Sequence, residues 1–385
     1  MKRIVMILVC LIWGFFALPV SAETYGETEE NSILAEDDAL DYSQVQQALD
    51  EILPETSKMS FSDLVTAFAS GSVNEIFSGL KDYILDQLFY EVTYNWKTMG
   101  QMIGIVLISS VFTSFSMAFS KNSIADTGFY LTYMVLFTLL LTSFHTAVSV
   151  AEGLMENMLK FMTTLVPTFC LSLTLSGHLT TAALYQQLML AVLTVLEWLV
   201  SRGILKLIHI FVLLSLIDQL SREDHLSKLA DFFHTIIGWT LKTILGVVLG
   251  LNVVQNMILP AFDTIKNGMA VRVVSAVPGV GDAMESAVKT VAGGAAVIKN
   301  AVGGAGIFIL ALLFLIPAAK LVCMALMYQL SQALVQPVAD KRMLGCMHSV
   351  SVGILLLMKV LGTVFVLFVI SLAMITSSSG LLFGS

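Results

Sequence analysis

The chain has 385 residues, 57% of them hydrophobic and only 12% charged, about half the charge of an ordinary soluble domain. A dry interior of this size cannot hide that much apolar surface, so a bilayer must serve as a second solvent; a nucleic-acid binder, a soluble enzyme and a disulfide scaffold are excluded as leading readings. The net charge of −8 is uneven, with sixteen Asp or Glu against Lys58, Lys81 and Lys97 in residues 23–100, and fifteen Lys or Arg against twelve acids in 101–385.

Residues 1–22 read as a cleaved signal peptide. Lys2 and Arg3 form its charged end, Ile4 to Leu18 its apolar core, and Val20-Ser21-Ala22 its small-residue cleavage site. An uncleaved anchor helix is the alternative. Residues 23–100 then form a small acidic extracytoplasmic helical region. Its first twenty residues are poor in large apolar groups, the composition of a flexible tip. Val45, Ala48, Leu49 and Ile52 share one helical face, and Pro54 ends the run. Ser60-Phe61-Ser62-Asp63 and Ser72-Val73-Asn74-Glu75 resemble capping boxes, the second opening a helix striped with Ile76, Leu80, Ile84 and Leu88. Trp96 sits where an aromatic ring favours the headgroup zone.

Residues 101–260 carry membrane helices. Apolar stretches at 101–119, 129–150, 182–200, 204–220 and 235–258 predict five spans. A shorter stretch, 161–176, is interrupted by Pro167 and either crosses or enters and returns. Two further membrane helices at 305–328 and 350–375, with a C-terminal tail, fill 305–385. The expectation is seven crossings plus one partial element. Between the two sets, 261–304 reads as a Gly-rich amphipathic hairpin or loop. Pro278-Gly279-Val280-Gly281 has the composition of a turn, and Met284, Ala287, Val288, Val291, Ala295 and Ile298 line one helix face beyond it. A re-entrant gate at a pore mouth and an interfacial loop that only packs both account for it.

Glu197, His209, Asp218, Lys242, Lys320 and Lys359 fall within or beside apolar runs. A charge at mid-bilayer costs about 2.5–3.5 kcal/mol on insertion scales, so together these groups predict a polar seam through the bundle. Lys320 follows Pro317, which opens the helical hydrogen-bond ladder. Gly100 with Gly104, and Gly246 with Gly250, have the spacing of close helix contacts. Enzyme signatures are weak. The histidines form no HExxH, there is no GxxxxGK, and Ser286-Ala287-Val288-Lys289 lacks the SDN and KTG companions of its SxxK match. Cys10, Cys170, Cys323 and Cys346 form no CxxC pair and read as apolar fillers. No catalytic residue, cofactor or metal site is expected.

The order of signal peptide, acidic ectodomain, several spans, Pro278-Gly279-Val280-Gly281, Ile298-Lys299-Asn300 and Gly303, followed by Pro317, Lys320, Tyr328, Pro337 and Asp340, resembles the stage III sporulation protein AE family. The resemblance implies an all-α, polytopic, non-enzymatic subunit of a secretion or feeding channel between mother cell and forespore. It implies a place in the mother-cell (outer forespore) membrane, with the N-terminal domain outside the cytoplasm. Forespore development and late sporulation gene expression would depend on it. Implied partners are the lipid bilayer, other membrane proteins of the stage III sporulation operon, a secretion-type ATPase and ring-forming proteins, with no nucleic acid. Pro278, Gly279, Gly281, Lys299, Asn300, Gly303, Pro317 and Lys320 become the candidate gate or assembly residues. The alternative from another class is a stand-alone secondary transporter or permease, for which the halves 101–220 and 235–375 show no convincing repeat.

Overall fold

The computed structural model describes residues 41–53, 60–72, 96–111, 122–176, 178–220, 226–275 and 281–378, with backbone alone for 122–126, 129, 256–275 and 281–292. Every regular element among them is helical. Two short helices, α1 (Ser43–Ile52) and α2 (Phe61–Ser70), precede a helical stretch, α3, over 96–111. Then come α4 (Asn122–Leu175), α5 (Leu179–Leu196), α6 (Leu205–Leu220), α7 (Ser227–Ser275), α8 (Gly281–Val335) and α9 (Lys341–Ser378). Five helices among the described residues are long and apolar enough to cross a membrane: Tyr130–Leu175, Leu179–Leu220, Ser227–Gln255, Gly293–Val335 and Lys341–Thr376. The described residues are therefore all-helical, with the character of an integral membrane protein.

Two sequence expectations change. The stretches 129–150 and 161–176 are one helix, α4, with Pro167 inside it, so 161–176 neither crosses separately nor returns. Pro167 removes one backbone donor, a loss that packing against neighbouring helices can offset. The stretches 182–200 and 204–220 also merge, because α5 runs into α6 through a π-helical segment, Glu197–Ile204. Glu197 and Arg202 interrupt the hydropathy there but leave the backbone ladder intact. Of the hairpin or loop expected over 261–304, residues 261–275 continue α7, 281–304 open α8, and 276–280 lie outside the described residues. Seven expected crossings thus become five long helices plus α3.

The amphipathic stripe predicted for α1 is present, with Val45, Ala48 and Leu49 buried. The first capping box is not formed. Ser60 occupies the N-cap of α2, but its side chain makes no capping bond. The Phe61 N–H instead donates to Gln46 Oε1 at 2.7 Å, so α1 supplies the cap of α2. Gly71, at φ 74°, ends α2 in the left-handed conformation that glycine adopts without a Cβ penalty. The second capping box and the stripe after it lie outside the described residues.

The long helices alternate in direction. Phe144 of α4 meets His209 of α6, Phe211 meets His234 of α7, and Phe169 meets Tyr185 of α5. The centre is the trio α4, α8 and α9, of which α8 and α9 share the most extensive contact. Phe314 stacks on Phe365 with ring centroids 4.4 Å apart, a geometry worth about 0.5–1.5 kcal/mol beyond area burial. At one end Tyr133 bonds the Leu216 carbonyl and contacts Cys346 Sγ at 3.0 Å. Beside it the buried Asp218 carboxylate accepts the Leu226 N–H at 2.8 Å, joining the end of α6 to the start of α7. The other end receives α1, packed on α4, and α2, packed on α8.

Candidate assembly site

The end that receives α1 and α2 is where the candidate residues of α8 converge. Lys299 is buried at 1% exposure, although lysine is almost never fully buried without a partner. Its Nζ donates to the Thr376 carbonyl at 3.0 Å, in the last turns of α9. Those carbonyls lie at the negative end of the helix dipole, where a cation is favoured. Asn300, the next residue, is exposed.

One turn later Gly303 faces the same strand of contacts. A Cβ there would lie 2.6 Å from Thr376 Oγ1 and 3.3 Å from Phe169 Cε2. On Gly304 it would lie 2.9 Å from Phe68 Cδ1 of α2. The Phe68 ring then meets Phe308 edge-on, with centroids 6.0 Å apart. The missing side chains are therefore the room into which α2 and α9 fit. A second tie fixes α1, whose Glu51 pairs with Lys160 of α4. Asn252 of α7 donates to Ser371 Oγ at 2.7 Å, bringing a third helix to the same end of α9.

Pro317 and Lys320 lie elsewhere, about two thirds of the way along α8. Lys320 is half-buried and borders a cavity of about 180 Å³ shared with Thr98 of α3 and Thr142, Ser143 and Thr146 of α4. The Thr142 and Thr146 hydroxyls donate to carbonyls one turn back. Pro317 lacks the N–H that would bond the Leu313 carbonyl. Pro278 and Gly279 lie outside the described residues, and Gly281 is the first residue of α8. The structure thus brings Lys299 and Gly303 together with α2, and keeps Pro317 and Lys320 apart from them.

The predicted polar seam does not form as one feature. Glu197, Lys242 and Lys359 are exposed on the outside of the bundle, Asp218 ends α6, and His209 packs on Phe144. The glycine pairs 100/104 and 246/250 meet nothing within 4 Å. The close approaches fall at glycines the spacing rule passed over: Gly304, Gly306 against Leu165, Gly345 against Gln219, and Gly353 against Val212. Gly345 and Gly353 lie eight residues apart, hence on one face of α9, and that period was the available signal. Among the described residues no group of three His, Cys, Asp or Glu is placed to hold a metal ion.

A profile of the stage III sporulation protein AE family matches residues 59–379, which takes in α2 and everything after it. The chain belongs to that family. The stage III sporulation protein AE of Bacillus subtilis (strain 168) is 26% identical to it over 335 residues, covering 86% of this chain and 82% of that protein. No solved structure matches the chain. The stage III sporulation protein AE match includes Lys299, Gly303, Pro317 and Lys320, along with the glycines against which α2 and α9 pack.

Proposed function

We propose that this protein is a non-enzymatic membrane subunit of a sporulation secretion or feeding channel, and that the Lys299–Gly304 end of its bundle is an assembly site. The observation that carries the reading is the seating of the N-terminal helices. α2 enters the notch at Gly304 by Phe68 while Lys299 fastens α9 beside it, so the N-terminal region and the membrane helices act as one body. A subunit that transmits assembly across a membrane needs such a rigid junction; a free-standing solute carrier does not.

In this reading the protein lies in the mother-cell (outer forespore) membrane, with the acidic N-terminal region in the space between the two membranes. Its partners are other stage III membrane proteins, ring-forming proteins and a secretion-type ATPase. Residues 276–280, with Pro278 and Gly279, and the mid-bundle Pro317/Lys320 pair serve as further assembly or gating contacts. The test is complementation in an endospore-forming host lacking its own copy. Gly304→Leu and Lys299→Met, each accumulating to normal levels, are expected to cut heat-resistant spores by at least about tenfold, the loss that corresponds to about 1.4 kcal/mol in an assembly equilibrium. Normal spore counts from both variants would remove the assembly role.

A further inference from the structure

Four of the membrane-length helices surround the fifth. α9 packs on α4, on the α5–α6 rod, on α7 and on α8. Those four close a ring about it: α4 meets the rod, the rod meets α7, α7 meets α8 and α8 meets α4. α4 and α7 are therefore opposite corners of the bundle, each with a face turned outward. They run in the same direction, because the rod between them is antiparallel to both.

The two outward faces carry opposite charge at one height. Glu152 and Glu156 are exposed on α4, and Lys242 is exposed on α7. The ring pairs Phe144–His209 and Phe169–Tyr185 put Glu152 level with Ser201 and Arg202 of the rod. Phe211–His234 puts Lys242 level with Gly203, so acid and base stand within about one turn of each other along the bundle axis. Among the described residues none of the three forms an ion pair. Apolar side chains are exposed to either side of them: Leu131, Val135 and Leu171 on α4, and Phe232, Val247 and Val254 on α7. A charge set in an apolar membrane helix is costly and is normally paired or turned inward.

The shapes of the two faces also agree. Ser149 and Gly153 flank Glu152 on α4, and Gly246 and Gly250 follow Lys242 on α7, all of them exposed. A Cβ at Gly153, Gly246 or Gly250 would meet nothing within 4 Å. Small residues four apart let helix backbones approach closely. Charge then selects the match, since α4 on α4 opposes carboxylates and α7 on α7 opposes ammonium groups, whereas α7 on α4 joins them.

We propose that copies of this chain associate side by side, the α7 face of one on the α4 face of the next, with Lys242 reaching Glu152 and Glu156 of its neighbour. A membrane keeps every copy upright, so faces level within one copy are level between copies. The contact is heterologous, and each copy keeps one face free to continue it. It is separate from the Lys299–Gly304 end, and its failure leaves the assembly reading of that end untouched. The test co-expresses two differently tagged full-length copies without the native cysteines, one with Gly153→Cys and the other with Gly246→Cys, and oxidises the isolated membranes. A disulfide joining the two tags is expected, while neither variant alone cross-links to itself. Lys242→Glu in the Gly246→Cys copy is expected to lower that product roughly fivefold, the strong end for an exposed ion pair. Glu152→Lys with Glu156→Lys in the other copy is expected to restore it. No product joining the tags, equal products from either variant alone, indifference to Lys242→Glu, or a loss that the reversed partner fails to restore overturns the proposal.

Discussion

At Gly304 a single hydrogen atom decides whether α2 stays on the bundle. A Cβ would come 2.9 Å from the Phe68 ring, nearer than real side chains approach, so Phe68 must retreat and its edge contact with Phe308 goes with it. Forced overpacking of this kind typically costs 1–3 kcal/mol, about the range expected for Gly304→Leu. The measurable result is faster proteolysis between α2 and α3 in detergent-solubilised protein. Phe68→Ala in the Gly304→Leu background should recover part of the loss if the clash is its source. Lys299 is the complementary case. Lys299→Met keeps the approximate length of the side chain and removes the hydrogen bond from a charged donor to the half-buried Thr376 carbonyl, a loss of about 1.5–3 kcal/mol. Thermal unfolding in detergent should shift down, whereas Asn300→Ala, one residue along on the exposed face, should stay within about 0.5 kcal/mol of the parent. Lys299 and Gly303 were legible in the sequence only through a family pattern. Burial of the one and contact of the other depend on α9, more than seventy residues away, and no local spacing encodes that. The glycine pairs 100/104 and 246/250 show the reverse, because correct spacing produces a smooth face but not a partner to meet it.

Among the elements, the long helices show why hydropathy divides what the backbone joins. A window about the length of a span falls in value wherever charges cluster, at Glu152–Lys160 in α4 and at Glu197–Lys206 in the rod, and so it marks a boundary. Helix termination needs something else: a glycine in the left-handed region, a proline whose freed carbonyl goes unmet, or a capping side chain. None is present at 197–204; the ladder instead widens by one residue into a π segment with Val200 and Ile204 still buried. The helical class and the buried face of α1 were readable because each has a local cause. Pro317 belongs to this scale. Pro317→Ala supplies the missing N–H to the Leu313 carbonyl and removes the ring from the helix interior, which relieves up to about 3 kcal/mol where a proline is poorly accommodated. The expected outcome is an unchanged or raised unfolding temperature together with fewer heat-resistant spores. A stabilised variant that sporulates normally would mean that the break in α8 has no part in function.

For the molecule as a whole, the number of helices fixes which ends share a side. With α4, the α5–α6 rod, α7, α8 and α9 alternating in direction, His178 and Thr376 lie at the α1/α2 end, and Asp340 lies at the other. Seven separate crossings, with 161–176 not among them, would instead put 178 and 340 on one side and 376 on the opposite one. The difference arises because the merger of 182–200 with 204–220 removes one turn and reverses every later loop, so a count of positive charges cannot arbitrate until the helices are known. Single cysteines at His178, Asp340 and Thr376, in a background without the native cysteines, separate the two schemes in intact cells by reaction with a membrane-impermeant maleimide. The five-helix bundle requires that positions 178 and 376 share one labelling state and 340 the other. Matching states at 178 and 340, with 376 alone in the other, would restore the seven-span topology and separate the start of α5 from the end at which Lys299 meets α9. Glu51 and Lys160 check the same arrangement from the N-terminal side. Reversing either charge should loosen α1, and reversing both should restore it, within the roughly 0.2–1 kcal/mol that a half-exposed pair contributes. That recovery requires α1 to lie at the end of α4 where Lys160 is found, the same end at which Lys299 holds α9.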